Sequence, residues 1–407
     1  MARAARPGRW LWMLVAAAIL SQGSLNLARL LISYKALALG GDAVAIGFIS
    51  AAFAILPAVV AISLGRLSDR TAWLRPLIAT GLLTLTVSCL LLSGSASLLL
   101  VAVGSAGLGL GHLAFAIAAQ SMIAKRSDPD SMDAGFGWFT AGFALGQMVG
   151  PLLAGVLLSN PGATTVAGRI EDIDQALLLA GLLALIAVPL ILVRIGSRGT
   201  AGTALKGVAT LDVKDSVGMI LGRPGVKSNM LASLALLTTM DILIAFLPLI
   251  AEQQGVPPLV VGLLLALRAA ATILSRMLLT VLLRRWSRNQ LVLASLFGAA
   301  LGLVVLPYVL ENIWIAAASQ ILVGFFLGLG QPLTMALISR AVREESRGAA
   351  LAIRLLGNRI GQIVLPAAAG LAAAPLGPSG AIWMTCFVLG AAGAVKGIGD
   401  RRLPPPV

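Results

Sequence analysis

From Pro76 to Ala124 the only groups that ionise near neutral pH are His112 and the thiol of Cys89. A helix needs about 20 apolar residues to cross a bilayer. The run is too long for one crossing and about right for two, joined by a turn at Ser93-Gly94-Ser95. Residues 43 to 64 carry no charge either. Between these runs lies a short charged island, Gly65-Arg66-Leu67-Ser68-Asp69-Arg70 with Arg75, which reads as a tight loop at a membrane surface.

The whole chain has this grain. It is 58% hydrophobic and 11% charged, with a mean hydropathy of +0.97, where soluble proteins carry about 25% charged residues. It is therefore read as an all-α membrane protein whose first partner is the lipid bilayer. A net charge of +14 raises the question of nucleic acid. The cations sit between apolar spans, so nucleic acid is not expected as a partner. Cys89 and Cys386 fall inside expected helices and imply no disulfide framework. The basic N-terminus, Met1 to Arg9, runs into an apolar segment and is read as the start of an uncleaved first helix.

The pattern predicts twelve spans, at roughly 10–33, 43–64, 76–93, 97–124, 136–158, 174–194, 228–251, 258–282, 290–310, 313–339, 348–372 and 379–397. With the N-terminus inside, most of the 30 cations, Lys396 among them, fall in inner loops. Lys35 and Arg169 are left for the outer ones. That bias places both termini in the cytoplasm of a multi-pass protein of the cytoplasmic membrane. Trp10, Trp12, Trp314 and Trp383 lie near span ends, as interfacial anchors do. The polar segment 195–227 reads as a cytoplasmic linker, with a short surface helix near Leu211 to Ile220. It separates an N-terminal bundle, 1–194, from a C-terminal one, 228–407. The outer segment 159–173 holds Glu171 and Asp172 and shows no obvious chemistry.

The two halves repeat. Gly40 and Gly47 recur 215 residues on as Gly255 and Gly262. The block from Gly146 to Gly155 recurs at the same spacing from Gly361 to Gly370, with Gly, Gln, Val, Pro, Ala and Gly all matched. Gly109 and Gly111 pair best with Gly328 and Gly330, at 219. Six spans per half is an even number, so both halves insert the same way up.

The island resembles the signature loop of the major facilitator superfamily, Gly-x-Leu-Ala-Asp-Arg-x-Gly-Arg-Arg. Gly65, Leu67, Asp69 and Arg70 match it, and Arg75 stands in for the cation missing at Ala72 and Trp73. The resemblance implies two six-helix bundles related by a pseudo-two-fold axis along the membrane normal, with a substrate site between them near mid-membrane. It also implies a monomer, and an inner gate of Gly65, Asp69, Arg70 and Arg354. Gly65 is expected to let a neighbouring helix approach closely. In the fifth span, Gly142, Gly146, Gly150, Pro151, Ala154 and Gly155 resemble the glycine–proline motif of the superfamily's antiporters. With Pro366 of the eleventh span, Gly146, Gly150, Pro151 and Gly155 are read as a hinge packed against the other half, which favours export. Ordinary small-residue packing is the other reading.

Ionisable groups inside spans are costly and face a cavity or a partner. They are Arg29, His112, Asp241, Arg268, Arg276, Arg354 and Arg359. Asn26 holds the repeat position of Asp241, so both are expected to line one central cavity. Asp241 is the only acid expected well inside a span. It is either the protonation site or half of a static ion pair with Arg29 or Arg268. His112, the one histidine, is either a proton relay or a neutral ring bonded to a neighbouring helix. The cavity set is Asn26, Arg29, His112, Asp241, Arg268 and Arg359, with Asp241 and His112 as proton carriers. One superfamily feature is missing. Proton-coupled exporters often carry an Arg four residues before a Gly in the fourth span, where this chain has Val103 before Gly107 or Ser105 before Gly109.

These residues point to a secondary transporter of a small solute, coupled to protons and exporting an organic or amphiphilic compound. The excess of intramembrane arginine points alternatively to uptake or exchange of an anion. A non-transporting receptor or scaffold is the reading from another class. No zinc-type His pair, nucleophile elbow or nucleotide-binding loop appears, so no enzyme, metal or cofactor is expected.

Overall fold

The computed structural model describes residues 8–401 except 71–72, 128, 160–164, 194–216 and 344–345, and for Ile62, Asp69, Arg70, Pro129, Asp130, Asp133, Asp400 and Arg401 the backbone alone. These residues form thirteen helices and no strand. They are α1 (Arg9–Ala38), α2 (Ala43–Arg70), α3 (Leu74–Ser93), α4 (Leu98–Arg126), α5 (Pro129–Leu157), α6 (Val166–Leu192), α7 (Val217–Gly222), α8 (Val226–Gln253), α9 (Pro258–Leu282), α10 (Arg288–Val309), α11 (Ile313–Ala341), α12 (Arg347–Leu376) and α13 (Ser379–Arg401). All but α7 are long and apolar enough to cross a membrane, which makes the expected twelve.

The helix ends follow from local chemistry. Ser97 and Thr165 accept hydrogen bonds from the N–H groups of Leu100 and Gly168. Ser287 and Gln290 form a reciprocal capping box, and Asn312 accepts from Trp314 and Ile315. Each such bond satisfies a donor that the first turn leaves open. α1 and α8 both run out at a glycine of positive φ, Gly40 at 78° and Gly255 at 66°. These are the two glycines matched at a spacing of 215, and an L side chain would be strained at either. Inside α3, Thr80, Thr84, Thr86 and Ser88 each return a hydroxyl to the carbonyl four residues earlier.

The described residues fall into two compact units, one within Met1–Gly40 and Ala52–Ala209, the other within Gly41–Ala51 and Thr210–Val407. In the first, α1 packs on α4, α5 and α6, and α3 packs on α4 and α6. In the second, α8 packs on α11, α12 and α13, and α10 packs on α11 and α13. The second set is the first moved on by seven helices. Close contacts repeat too. A Cβ at Gly146 would sit 2.6 Å from Ile19 O, and one at Gly361 would meet the side chain of Leu234, 215 residues after Ile19. Gly109 lies against Phe53 and Gly328 against Thr272, both pairs 219 apart.

Several sequence expectations are corrected. α2 continues through Arg70, so 65–70 is the last stretch of a helix and not a loop. A Cβ on Gly65 would meet no described atom within 4 Å. The tie at this end is made instead by Lys125 of α4, whose Nζ donates to Ser68 O at 2.9 Å. Arg75 lies in the first turn of α3 and lines a small recess with Trp10, Met13, Met122 and Leu190.

α1 continues to Ala38 and α6 begins at Val166, so Lys35 and Arg169 lie in helices and not in outer loops. Lys35 is 1% exposed and forms an ion pair with Asp174 of α6. Asp241 is therefore not the only acid inside a span. Lys396 lies within α13, 1% exposed, and donates to Asn289 Oδ1 at 3.0 Å. Of the expected linker, 195–216 lies outside the described residues. The short helix there is α7, and its Ile220 packs with Val226, Ile338, Val342 and Ala350.

Candidate functional site

In the first unit the polar face of α1 carries Gln22, Asn26 and Arg29, spaced four and three residues apart and so on one side of the helix. Asn26 Nδ2 donates to Gln22 Oε1 at 3.3 Å and to Gln22 O at 2.9 Å. Gln22 Nε2 lies 3.0 Å from His112 Nδ1 of α4. With the amide nitrogen as donor, Nδ1 accepts and the ring is neutral. The His112 ring also lies 5.9 Å from Phe143 of α5, which joins Phe115 and Phe139 in an aromatic cluster. The guanidinium of Arg29 sits over the ring of Phe53, 4.6 Å from its centroid, a cation–π contact that suits a poorly solvated cation.

In the second unit Asp241 of α8 is 6% exposed. Its Oδ2 accepts from Gln362 Nε2 of α12 at 2.8 Å. Gln362 Oε1 in turn accepts from Arg359 Nη1 at 3.0 Å. The result is a string from carboxylate through amide to guanidinium. Arg354, one turn and a half earlier, joins a different set. Its Nη2 donates to Gln331 Oε1 of α11 at 2.6 Å, Gln331 Nε2 donates to Ser233 O at 2.8 Å, and Ser233 Oγ donates to Asn358 Oδ1 at 3.2 Å. Arg268 of α9 is 5% exposed, and its backbone lies against Gly324 of α11. Arg354 and Arg359 therefore do not share one partner set, as their spacing of five predicts. The expected partner of Arg354, Asp69, lies outside the described side chains together with Arg70.

Asn26 and Asp241 are equivalent within their units in one more respect. Asn26 Cβ lies 2.8 Å from where a Cβ on Gly150 of α5 would stand, and Asp241 is bonded from α12, the counterpart of α5. The glycine face of α5 has a different use from the one expected. A Cβ at Gly146 would be 2.8 Å from Gly23 N, and one at Gly150 would be 2.8 Å from Gly23 O and Leu27 N. Gly146 and Gly150 are thus taken up by α1 of their own unit, which corrects the expectation of a face docked on the other half. Pro151 lies inside α5, and Gly155 O accepts from Ser159 Oγ. Pro366 lies inside α12, where its carbonyl is 2.6 Å from the position a Cβ on Gly47 would take.

Sequence reasoning missed Gln22, Gln331, Asn358 and Gln362. Amides carry no charge and so do not stand out in an apolar span. For Gln362 a signal existed, since it is one of the residues matched in the repeated block.

No curated protein sequence matches the chain. Solved structures do match its fold. One is a bacterial homolog of the human lysosomal transporter Spinster in an inward-facing conformation, 17% identical, with a TM-score of 0.75 over 99% of this chain and 100% of that one. The nucleoside transporter NupG is 13% identical, with a TM-score of 0.72 over 97% of this chain and 100% of its own. A POT family transporter in complex with a thioalcohol-conjugated peptide is also 13% identical, with a TM-score of 0.74 over 96% of each chain. The family model for the Major Facilitator Superfamily matches twice, over residues 14–237 and 229–406. Twelve spans, two units of one helix pairing and these matches make the protein a multi-pass membrane transporter, and the chain belongs to the Major Facilitator Superfamily.

Proposed function

We propose that this transporter works by alternating access as a proton-coupled exporter of a small organic or amphiphilic compound from the cytoplasm, with Asp241 as the protonation site. The observation that carries the reading is the setting of Asp241. It is a buried carboxyl group in an apolar span, bonded from Gln362 and coupled electrostatically to Arg359. Ionisable groups inside membrane spans mark proton relays and substrate pathways. His112, tied to Gln22, is the second proton carrier of the proposal. Export rests on the resemblance of the α5 sequence pattern to that of the superfamily's antiporters, and not on a face docked on the other half. Operation as a monomer, with both termini in the cytoplasm, completes the reading.

The test is flux in proteoliposomes with ethidium as the probe. The wild type is expected to move the dye against an imposed proton gradient. Asp241→Asn is expected to lose that gradient-driven flux by about a hundredfold, at the lower end of what a positioned acid–base group contributes. It should keep dye counterflow, which needs no net proton movement. Undiminished gradient-driven flux in Asp241→Asn would overturn the reading. A second reading, uptake or exchange of an anion, is favoured by Arg29, Arg268, Arg354 and Arg359 outnumbering Asp241. It predicts that benzoate, and not ethidium, supports counterflow.

A further inference from the structure

Arg75 and Arg126 meet at the end of the first unit where α1 begins. Arg75 stands in the first turn of α3, and Arg126 in the last turn of α4. They are close enough for their like charges to repel. Among the described residues no carboxylate pairs with either. Two guanidiniums held together cost free energy, and an anion between them turns the cost into attraction. The start of α3 adds to the demand. Its first turn holds no acid, and its N-cap is Trp73, whose indole cannot accept from the open N–H groups there.

The surroundings are apolar. Arg75 lines a recess with Trp10 and Met13 of α1, Met122 of α4 and Ile191 and Val193 of α6. Next to Arg75 an exposed stripe begins on α3 and runs through Pro76, Thr80, Leu83 and Val87. Its spacings of four, three and four keep it on one side of the helix. α6 is held against α3 by Thr86, whose hydroxyl donates to Gly181 O at 3.3 Å. The next turn of α6 exposes Leu182, Leu185 and Ile186. Two greasy tracks thus lead away from a pair of cations.

We infer that Arg75 and Arg126 hold the phosphate of an anionic phospholipid, whose acyl chains lie along the exposed stripes of α3 and α6. A guanidinium grips phosphate oxygens by two N–H groups at once. A phosphodiester has two free oxygens, so each arginine has one to hold. The rest of the headgroup decides which lipid fits. A zwitterionic headgroup brings its own cation towards Arg75 and Arg126, and towards exposed Arg9 and Lys125 beside them in the chain. A headgroup whose one charge is the phosphate does not. Asp69, Asp128, Asp130 and Asp133 lie outside the described side chains, so the test must detect neutralisation by one of them.

The experiment is thermal unfolding of the purified full chain in detergent, with phosphatidylglycerol, phosphatidylcholine or inorganic phosphate added. A lipid that binds the folded chain raises its midpoint in proportion to occupancy. For the wild type, phosphatidylglycerol is expected to act at a concentration roughly tenfold below that of phosphatidylcholine, as basic pockets facing a leaflet favour anionic lipid. Arg75→Gln and Arg126→Gln should each weaken the response to phosphatidylglycerol about tenfold, the worth of one charge-assisted hydrogen bond. Neither should change the response to phosphatidylcholine. Arg126, exposed at a helix end, serves if the Arg75 variant fails to fold. Arg285→Gln, at an exposed cation between α9 and α10, should respond as the wild type does. Without lipid, Arg126→Gln should be at least as stable as the wild type, since a repulsion is gone. A loss of stability there would mean that a carboxylate already neutralises the pair, and would overturn the inference. So would a phosphatidylglycerol response that survives both substitutions, or equal protection by inorganic phosphate.

Discussion

Asp174→Leu is expected to destabilise the protein by about 3–5 kcal/mol, the usual cost of leaving one half of a buried ion pair alone. Lys35 is the reason. It is 1% exposed on α1, and its ammonium group is paired with Asp174 of α6. Removing Asp174 strands a charge among apolar side chains. Removing both charges does not, so Lys35→Met combined with Asp174→Leu should recover most of the loss or exceed the wild type. Lys35→Met alone should cost less than Asp174→Leu, because Asp174 is 27% exposed and retains some contact with solvent. Equilibrium unfolding in detergent, followed by circular dichroism, measures all three. A cost below about 1 kcal/mol for Asp174→Leu would mean that the Lys35 stem bends to place its ammonium in water, as long cationic side chains near helix ends can.

The second large effect is expected at Gly146. A leucine there should leave no monodisperse protein on size exclusion after detergent extraction. A Cβ at this position would stand 2.6 Å from Ile19 O and 2.8 Å from Gly23 N. Both are backbone atoms of α1 and cannot swing aside as a side-chain tip can. Even alanine must push α5 away from α1, with an overpacking cost of about 1–3 kcal/mol. The better helix propensity of alanine offsets at most about 1 kcal/mol of that. Gly357 of α12 is the control. A Cβ there would meet nothing within 4 Å, so Gly357→Ala should be neutral or stabilise by up to about 1 kcal/mol. Equal tolerance at the two glycines would show that α1 and α5 are not in backbone contact.

The difference between these positions shows what the sequence could and could not reveal. Twelve crossings were legible because an uncharged run of the right length has one use in a bilayer. The repeat was legible because matched glycines mark matched close approaches, and Gly146 and Gly361 do meet matched neighbours. Span ends were less legible. A charge reads as the edge of a span, but Lys35 and Asp174 enter the helices because each has the other across the α1–α6 contact. Nothing local to either residue says so. Asp241 and Arg359 stood out as ionisable groups in apolar surroundings. The amide that joins them did not, since a glutamine in a small-residue helix looks like ordinary composition until its partners on another helix are known.

The bond from Lys125 to Ser68 has a mechanical consequence. α4 touches α2 where Gly109 lies against Phe53, and again where Lys125 reaches the last turns of α2. Along α4 these fastenings are sixteen residues apart, a lever arm of about 24 Å. The stretch of α2 from Phe53 to Ser68 is therefore anchored to α4 at two heights, and a load on that stretch is shared between a backbone contact and a side-chain tether.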